Sequence, residues 1–162
     1  MRGDGDGWVF SHEGTRHWGR YGAAGLLLRA PLDNGAWAVL LQHRALWSHQ
    51  GGTWGLPGGA LDSHETPEEA ALREAHEEAG LSREHLQVRF SVVTAEVRGP
   101  GSVHWTYTTV IAEASEKLPT VLNQESTALS WVALEEVTSR PLHPAFEASW
   151  NQLSVLASSP EL

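Results

Sequence analysis

Glu74, Glu77 and Glu78 fall within five residues of one another, with Arg73 beside them and Glu65 eight positions before that arginine. Residues 59–81, GALDSHETPEEAALREAHEEAGL, hold ten titratable side chains, six of them glutamates, in a chain of formal net charge −9. Arg73 is the one strong cation among them. Carboxylates so close repel one another unless something positive pairs with them. Clustered carboxylates beside a glycine turn are hard oxygen ligands of the kind Mg²⁺ or Mn²⁺ takes, and such an ion keeps room for substrate phosphates. The alternative is a solvated helix face whose charge pairs are worth a few tenths of a kcal/mol each. A decorated face needs no Pro-Gly-Gly turn fixed in front of it, and Pro57-Gly58-Gly59 is there.

The element that must carry this chemistry is a helix over 66–79. Thr66 suits the N-cap, Pro67 the first helical position, and Glu69 completes a capping box. Gly80 supplies the left-handed residue that ends it. At 100° per residue the three glutamates lie within about 100° of one another. Ala71, Leu72, Ala75 and Ala79 take the opposite side, small enough to bring the helix close to a sheet. Arg73 is placed to neutralise a carboxylate or to reach back to Glu65.

The rest of the chain supplies a mixed α/β frame. YGAAGLLLRA (21–30) and AWAVLLQHR (36–44) read as a strand pair joined by PLDNG, whose Asn-Gly signals a turn. QVRFSVVTAEV (87–97) and SVHWTYTTVIAEA (102–114) read as a hairpin, and TALSWVAL (127–134) as a further strand. PAFEASWNQLSVLA (144–157) has helical spacing. Residues 45–59 carry too many glycines for regular structure and read as a shaped loop. Residues 1–20 form an arm or small hairpin, 21–157 the main domain, and 158–162 a fraying tail.

With 162 residues the chain is expected to build one core. It has no cysteine, which excludes disulfides and thiolate metal sites. The acidic balance argues against polymeric nucleic acid, whose backbone calls for Lys and Arg. It leaves small phosphorylated ligands open, since a divalent cation can supply the positive charge. The longest aliphatic run is Leu26–Leu28 and MRGDGDGW has no signal-peptide layout, so the expected setting is cytoplasmic, without membrane attachment. His76-Glu77 is not followed by a second histidine at helical spacing, so a zinc-protease reading fails.

Gly59, five residues, Glu65, seven residues, then REAHEEAGL (73–81) resembles the complete Nudix box, with every fixed Gly, Glu and Arg present. Ala75 is a small occupant of a position usually filled by a larger aliphatic residue. Within that family the chain is similar to MutT-type enzymes of an actinobacterial branch. The resemblance implies an α/β/α sandwich around a mixed sheet and Mg²⁺-dependent cleavage of a nucleoside diphosphate linked to another group, with Mn²⁺ as a substitute metal. It implies Glu77, Glu78 and the Gly58 carbonyl as principal metal ligands, and Glu74 as a ligand or water activator. Glu125, in the NQES segment, would be a further ligand or the base. Arg73 would orient the carboxylates and Glu65 would hold Arg73.

HRALWSHQGGTWGLPGG aligns with MutT without a gap from Arg44 to Gly59, and the resemblance puts Arg44, His49 and Leu56 among the substrate contacts. PLHPAFEASW (141–150) lies where MutT-like enzymes carry a base-reading amide. No asparagine stands there, leaving His143 and Phe146 as candidates for that contact. Trp47, Trp54, Trp105, Tyr107 and Phe146 are aromatic enough to stack on a purine, though aromatics in such a core usually pack. The substrate implied is a nucleoside di- or triphosphate, first an oxidised guanine nucleotide such as 8-oxo-dGTP or 8-oxo-dGDP. Other diphosphate derivatives stay open: ADP-ribose, dinucleoside polyphosphates, nucleotide sugars. The proline expected past the box in ADP-ribose enzymes is absent, the nearest being Pro100. A Nudix-fold binding module without turnover is a third reading, weighed against the retention of all three glutamates.

Overall fold

The structure, a computed structural model, describes residues 3–45, 51–124 and 126–162. Its centre is a seven-stranded mixed sheet covered by one helix on each face. Along the chain, β1 (Trp8–Phe10) and β2 (Arg16–Trp18) form a separate antiparallel hairpin. Then come β3 (Ala23–Pro31), β4 (Trp37–Arg44), β5 (Trp54–Gly55), β6 (Gly58–Ala60) and helix α1 (Pro67–Ala79). β7 (Gln87–Arg98), β8 (His104–Glu113), β9 (Ser126–Ala133) and α2 (Pro144–Ala157) follow. Short 3-10 turns sit at Arg83–His85 and Leu134–Ser139. Among the described residues no helix is long and apolar enough to cross a membrane.

The α1 face of the sheet packs Ala24, Leu26, Leu28, Leu40, Val110 and Ala112 against Ala71, Ala75 and Ala79 of the helix. Those alanines let α1 lie close. The other face packs Leu27, Val39, Leu41, Ile111 and Val132 against Phe146, Trp150 and Leu153 of α2. Alternation along β3 and β4 sends successive leucines to opposite layers, as two-faced strands require.

β3 and β4 are neighbours only from Arg29 to Pro31, against Trp37 to Val39. Toward the other end they splay, and residues 54–60 enter as a wedge: Trp54 and Gly55 pair with β4, Gly58 to Ala60 with β3. The loop expected over 45–59 is therefore partly strand. Its glycines permit the pairing rather than prevent it, because a Cβ on Gly58 would stand 2.4 Å from the Ala24 carbonyl oxygen. On its far edge β3 runs parallel to β8 from Ala23 to Arg29.

α1 begins and ends as its sequence predicts. The Thr66 hydroxyl accepts from the Glu69 N–H at 3.2 Å, Glu69 reaches back to the Thr66 N–H at 2.9 Å, and Gly80 closes the helix at φ 69°. Thr66→Ala removes one half of that reciprocal cap. We expect a loss of about 1 kcal/mol in chemical denaturation, with the rest of the box undisturbed.

Two terminal segments are tied down. Gly5 N–H donates to Asp62 at 3.2 Å and Asp4 accepts from the Ser63 N–H at 2.8 Å, so the arm braces the loop leading into α1. The tail expected to fray is instead anchored. Buried Arg29 donates to the Ala157 carbonyl at 2.9 Å and to the Ser159 carbonyl, and Leu162 packs on the α2 layer. A guanidinium that is 1% exposed needs those acceptors, and the tail provides them.

Candidate active site

Arg73 is the hub of the acidic edge. Its Nε and Nη2 donate to the two oxygens of Glu65 at 2.7 and 2.8 Å, a fork-to-fork pair. Nη1 donates to Glu74 at 2.8 Å and to Glu77 at 3.4 Å, and Nη2 also to the Ala60 carbonyl at 3.0 Å. All five guanidinium N–H groups are thus used. Glu65 is oriented in turn by the Asp62 N–H at 2.9 Å. The Arg73 hydrogen bonds hold the Glu65 carboxyl below its ordinary value, and the same carboxylate raises Arg73.

Glu78 is held differently. It is only 4% exposed and lies beneath the wedge. Its Oε1 accepts from the Gly58 N–H at 2.7 Å and its Oε2 from Gln42 Nε2 at 3.1 Å. Glu77 is the most open of the three, its side chain 32% exposed. A Cβ on Gly59 would stand 2.7 Å from the carboxyl carbon of Glu74, so any larger residue there would displace that carboxylate. The turn before the helix and the helix edge therefore fit each other closely.

Among the described residues no three His, Asp or Glu side chains are arranged to hold a metal ion as they stand. The donor chemistry nevertheless suits a hard divalent cation. Three carboxylates line one helix edge, and the glycine turn leaves the room beside Glu74 that any side chain would fill. Two of the three, Glu74 and Glu77, are turned to Arg73, so a cation competes with the guanidinium for them.

The remaining predicted residues divide. Arg44 ends β4 at an irregularity in the β4–β9 pairing, with its backbone N–H on the Thr53 carbonyl at 2.9 Å. His143 caps α2, its Nδ1 accepting from the Ala145 N–H at 3.1 Å. Leu56 and Phe146 lie in the α2-side core, Phe146 with its ring 5.5 Å from that of Trp150. Neither offers an open face to a base in this arrangement, because both fill the layer under α2. His49, Trp47 and Glu125 lie outside the described residues.

Trp54 lies between His43, at 4.7 Å, and the Arg140 guanidinium, at 4.4 Å. Trp105 is 8% exposed, donates to the Trp18 carbonyl and packs on His17. Both are packing residues. Tyr107 crosses over Gly25, where a Cβ would stand 1.9 Å from its hydroxyl; burial and then Glu78 push that hydroxyl's pKa up.

Sequence reasoning passed over Gln42 and Asp62. The signal for Gln42 was there: one polar residue in AVLLQHR, two positions after Leu40 and so on the α1 face. A groove of about 830 Å³ between Gly35–Trp37 and α2 lies away from the acidic edge and contains none of these groups.

The NUDIX domain family model matches residues 20–153. The chain belongs to the Nudix family. In Mycobacterium tuberculosis, strains CDC 1551 / Oshkosh and H37Rv, it is similar to a protein named "Putative 8-oxo-dGTP diphosphatase 3". Identity is 69% over 153 residues, covering 94% of this chain and 70% of that protein. The crystal structure of the M. smegmatis Nudix hydrolase RenU superposes with a TM-score of 0.93 at 65% identity, over 98% of this chain and 99% of that one. A C. elegans Ap4A hydrolase binary complex shares the fold at TM-score 0.68 and 22% identity, over 84% of this chain and 96% of that chain. This Nudix protein is a hydrolase whose family acts on nucleoside phosphates and generally uses divalent metal ions.

Proposed function

We propose that this Nudix hydrolase is a Mg²⁺-dependent pyrophosphohydrolase of cytoplasmic nucleoside di- and triphosphates, with oxidised guanine nucleotides such as 8-oxo-dGTP and 8-oxo-dGDP as its preferred class. The acidic edge supports the chemistry, with its three carboxylates, its glycine turn and its arginine hub. The relative at 69% identity, named for 8-oxo-dGTP, supports the substrate class.

In this reading Glu77, Glu78, the Gly58 carbonyl and Glu125 hold the cation, with Glu74 as a further ligand or the acceptor of the water's proton. A bound divalent ion would screen the diphosphate charge and lower the pKa of a bound water. The protein's own part is alignment. Phosphoryl transfer demands positioning and charge neutralisation more than a reactive side chain, which accounts for a site without a Ser or Cys nucleophile. Arg73 keeps mutually repelling carboxylates together, and Glu65 keeps Arg73 aimed. Arg44 meets substrate phosphate or sugar, with His49 five residues on in the sequence. His143, at the start of α2, is the better placed of the two residues proposed to read the base, since Phe146 is buried.

The test is a release assay with Mg²⁺ across 8-oxo-dGTP, 8-oxo-dGDP, dGTP, ADP-ribose and a dinucleoside polyphosphate. The expected result is preferential turnover of the oxidised guanine nucleotides, abolished by chelator. Preference for ADP-ribose or the dinucleotide would replace the substrate class, and no turnover of any member would indicate a binding module. Arg44→Ala is expected to raise KM several-fold with kcat nearly unchanged, because it removes ground-state binding. An unchanged KM removes Arg44 from the site.

A further inference from the structure

Gln42 ends the buried run Val39-Leu40-Leu41 of β4 and is itself 2% exposed. Its amide is half satisfied. Nε2 donates to Glu78 and to the Ser126 hydroxyl, while Oε1 has no hydrogen-bond partner among the described residues. An unpaired buried carbonyl is costly, and an apolar side chain of the same shape would avoid it. The gain must come from the N–H side.

That side grips Glu78 across the wedge. The Gly58 N–H of β6 takes one carboxylate oxygen and the Gln42 amide of β4 takes the other, so two strands fix the torsions of a side chain on α1. Both donors are neutral. They orient the carboxylate from two strands, while Glu74 and Glu77 hydrogen-bond to the Arg73 guanidinium. We infer that Gln42 is a positioning residue that presets the orientation of the Glu78 carboxylate from which a divalent ion is held. Such outer partners tune the affinity of the ligand they orient. The inference rests on the proposed role of Glu78 in holding a divalent ion.

Gln42→Met keeps the length and the packing and deletes the N–H. The readout is Mn²⁺ binding to resting protein, followed by paramagnetic resonance of free Mn²⁺, alongside kcat, KM and metal-free Tm. The dissociation constant for Mn²⁺ should rise about ten- to a hundredfold. The rate at limiting Mn²⁺ should fall in step and recover when Mn²⁺ is raised, with nucleotide KM at saturating metal within about twofold of wild type. Metal-free Tm should fall by no more than about a few degrees, since losing the unpaired carbonyl offsets part of the cost of withdrawing a donor from Glu78 and Ser126. Gln42→Asn, which keeps the amide but withdraws it by one methylene, should also weaken Mn²⁺ binding and serves if the first variant does not fold. Wild-type Mn²⁺ affinity in either folded variant overturns the role of Gln42 alone. Failure of the wild-type protein to bind Mn²⁺ overturns it together with the metal reading of the acidic edge.

Discussion

Glu78→Gln is expected to lower nucleotide hydrolysis by more than about tenfold and leave the protein folded, because the change removes a charge whose stabilising effect with a divalent ion is several kcal/mol while the hydrogen-bond network can absorb it. The new amide can still offer its oxygen to the Gly58 N–H, which now lies 2.7 Å from Glu78 Oε1. Its NH₂ would then face the Gln42 NH₂, two donors in opposition. A half-turn of the Gln42 amide resolves this, bringing forward the Oε1 that has no partner among the described residues. The Ser126 hydroxyl, now an acceptor from Gln42, can rotate and donate instead. The half-turn also carries the Gln42 NH₂ to where Oε1 stood unpaired, so a loss of about 1–3 kcal/mol is expected, short of unfolding. Rate, circular dichroism and thermal midpoint measured on the same preparation decide the matter. Wild-type kinetics in the folded variant would remove Glu78 from the metal-holding set.

Much of this site is written in local chemistry, which is why it can be read from the chain. Thr66, Pro67, Glu69 and Gly80 each act within a turn of their own position, and they bound α1 where the residue types say they should. The hairpin of β7 and β8 is equally local: alternating runs flank Arg98-Gly-Pro-Gly, and they pair from Gln87 with Glu113 to Arg98 with His104. The wedge is not local. That β3 abandons β4 below Arg29 and takes β6 instead depends on three segments meeting, and a glycine-rich stretch looks the same as a loop until its neighbours are known. The same limit explains Gln42, whose partners Glu78 and Ser126 are 36 and 84 residues away. Phe146 shows the converse: helical spacing announced its apolar face correctly, but only the α2 layer shows that this face is covered by Trp150 and the sheet.

Arg73→Ala should be the most damaging single change in the box, to stability and to rate together. Glu65 has a side chain only 7% exposed, and both its oxygens accept from the Arg73 fork, with the Asp62 N–H as a further donor to Oε1. Removing one member of a buried pair costs about 3–5 kcal/mol, and the 23% exposure of the Arg73 side chain brings the expectation down to about 2–4. The rate falls for a second reason, since Glu74 and Glu77 lose the cation that now holds both. Arg73→Lys should recover little, because a point charge cannot serve four acceptor groups in one plane. Acid titration separates this account from simple loss of packing. In the wild type Glu65 is held below its ordinary value of 4.5, so its contribution is complete above that pH and disappears as pH falls through the lower folded value. Without Arg73 the largest lowering influence is gone and burial opposes what the Asp62 N–H and His64 still supply, so the folded variant takes up its proton at higher pH than the wild type and that proton relieves the charge. The stability gap between wild type and Arg73→Ala should therefore narrow as pH is lowered from 6 toward 3, measured by denaturant midpoints at each pH. A gap independent of pH would show that the Arg73–Glu65 pair is not what the variant loses.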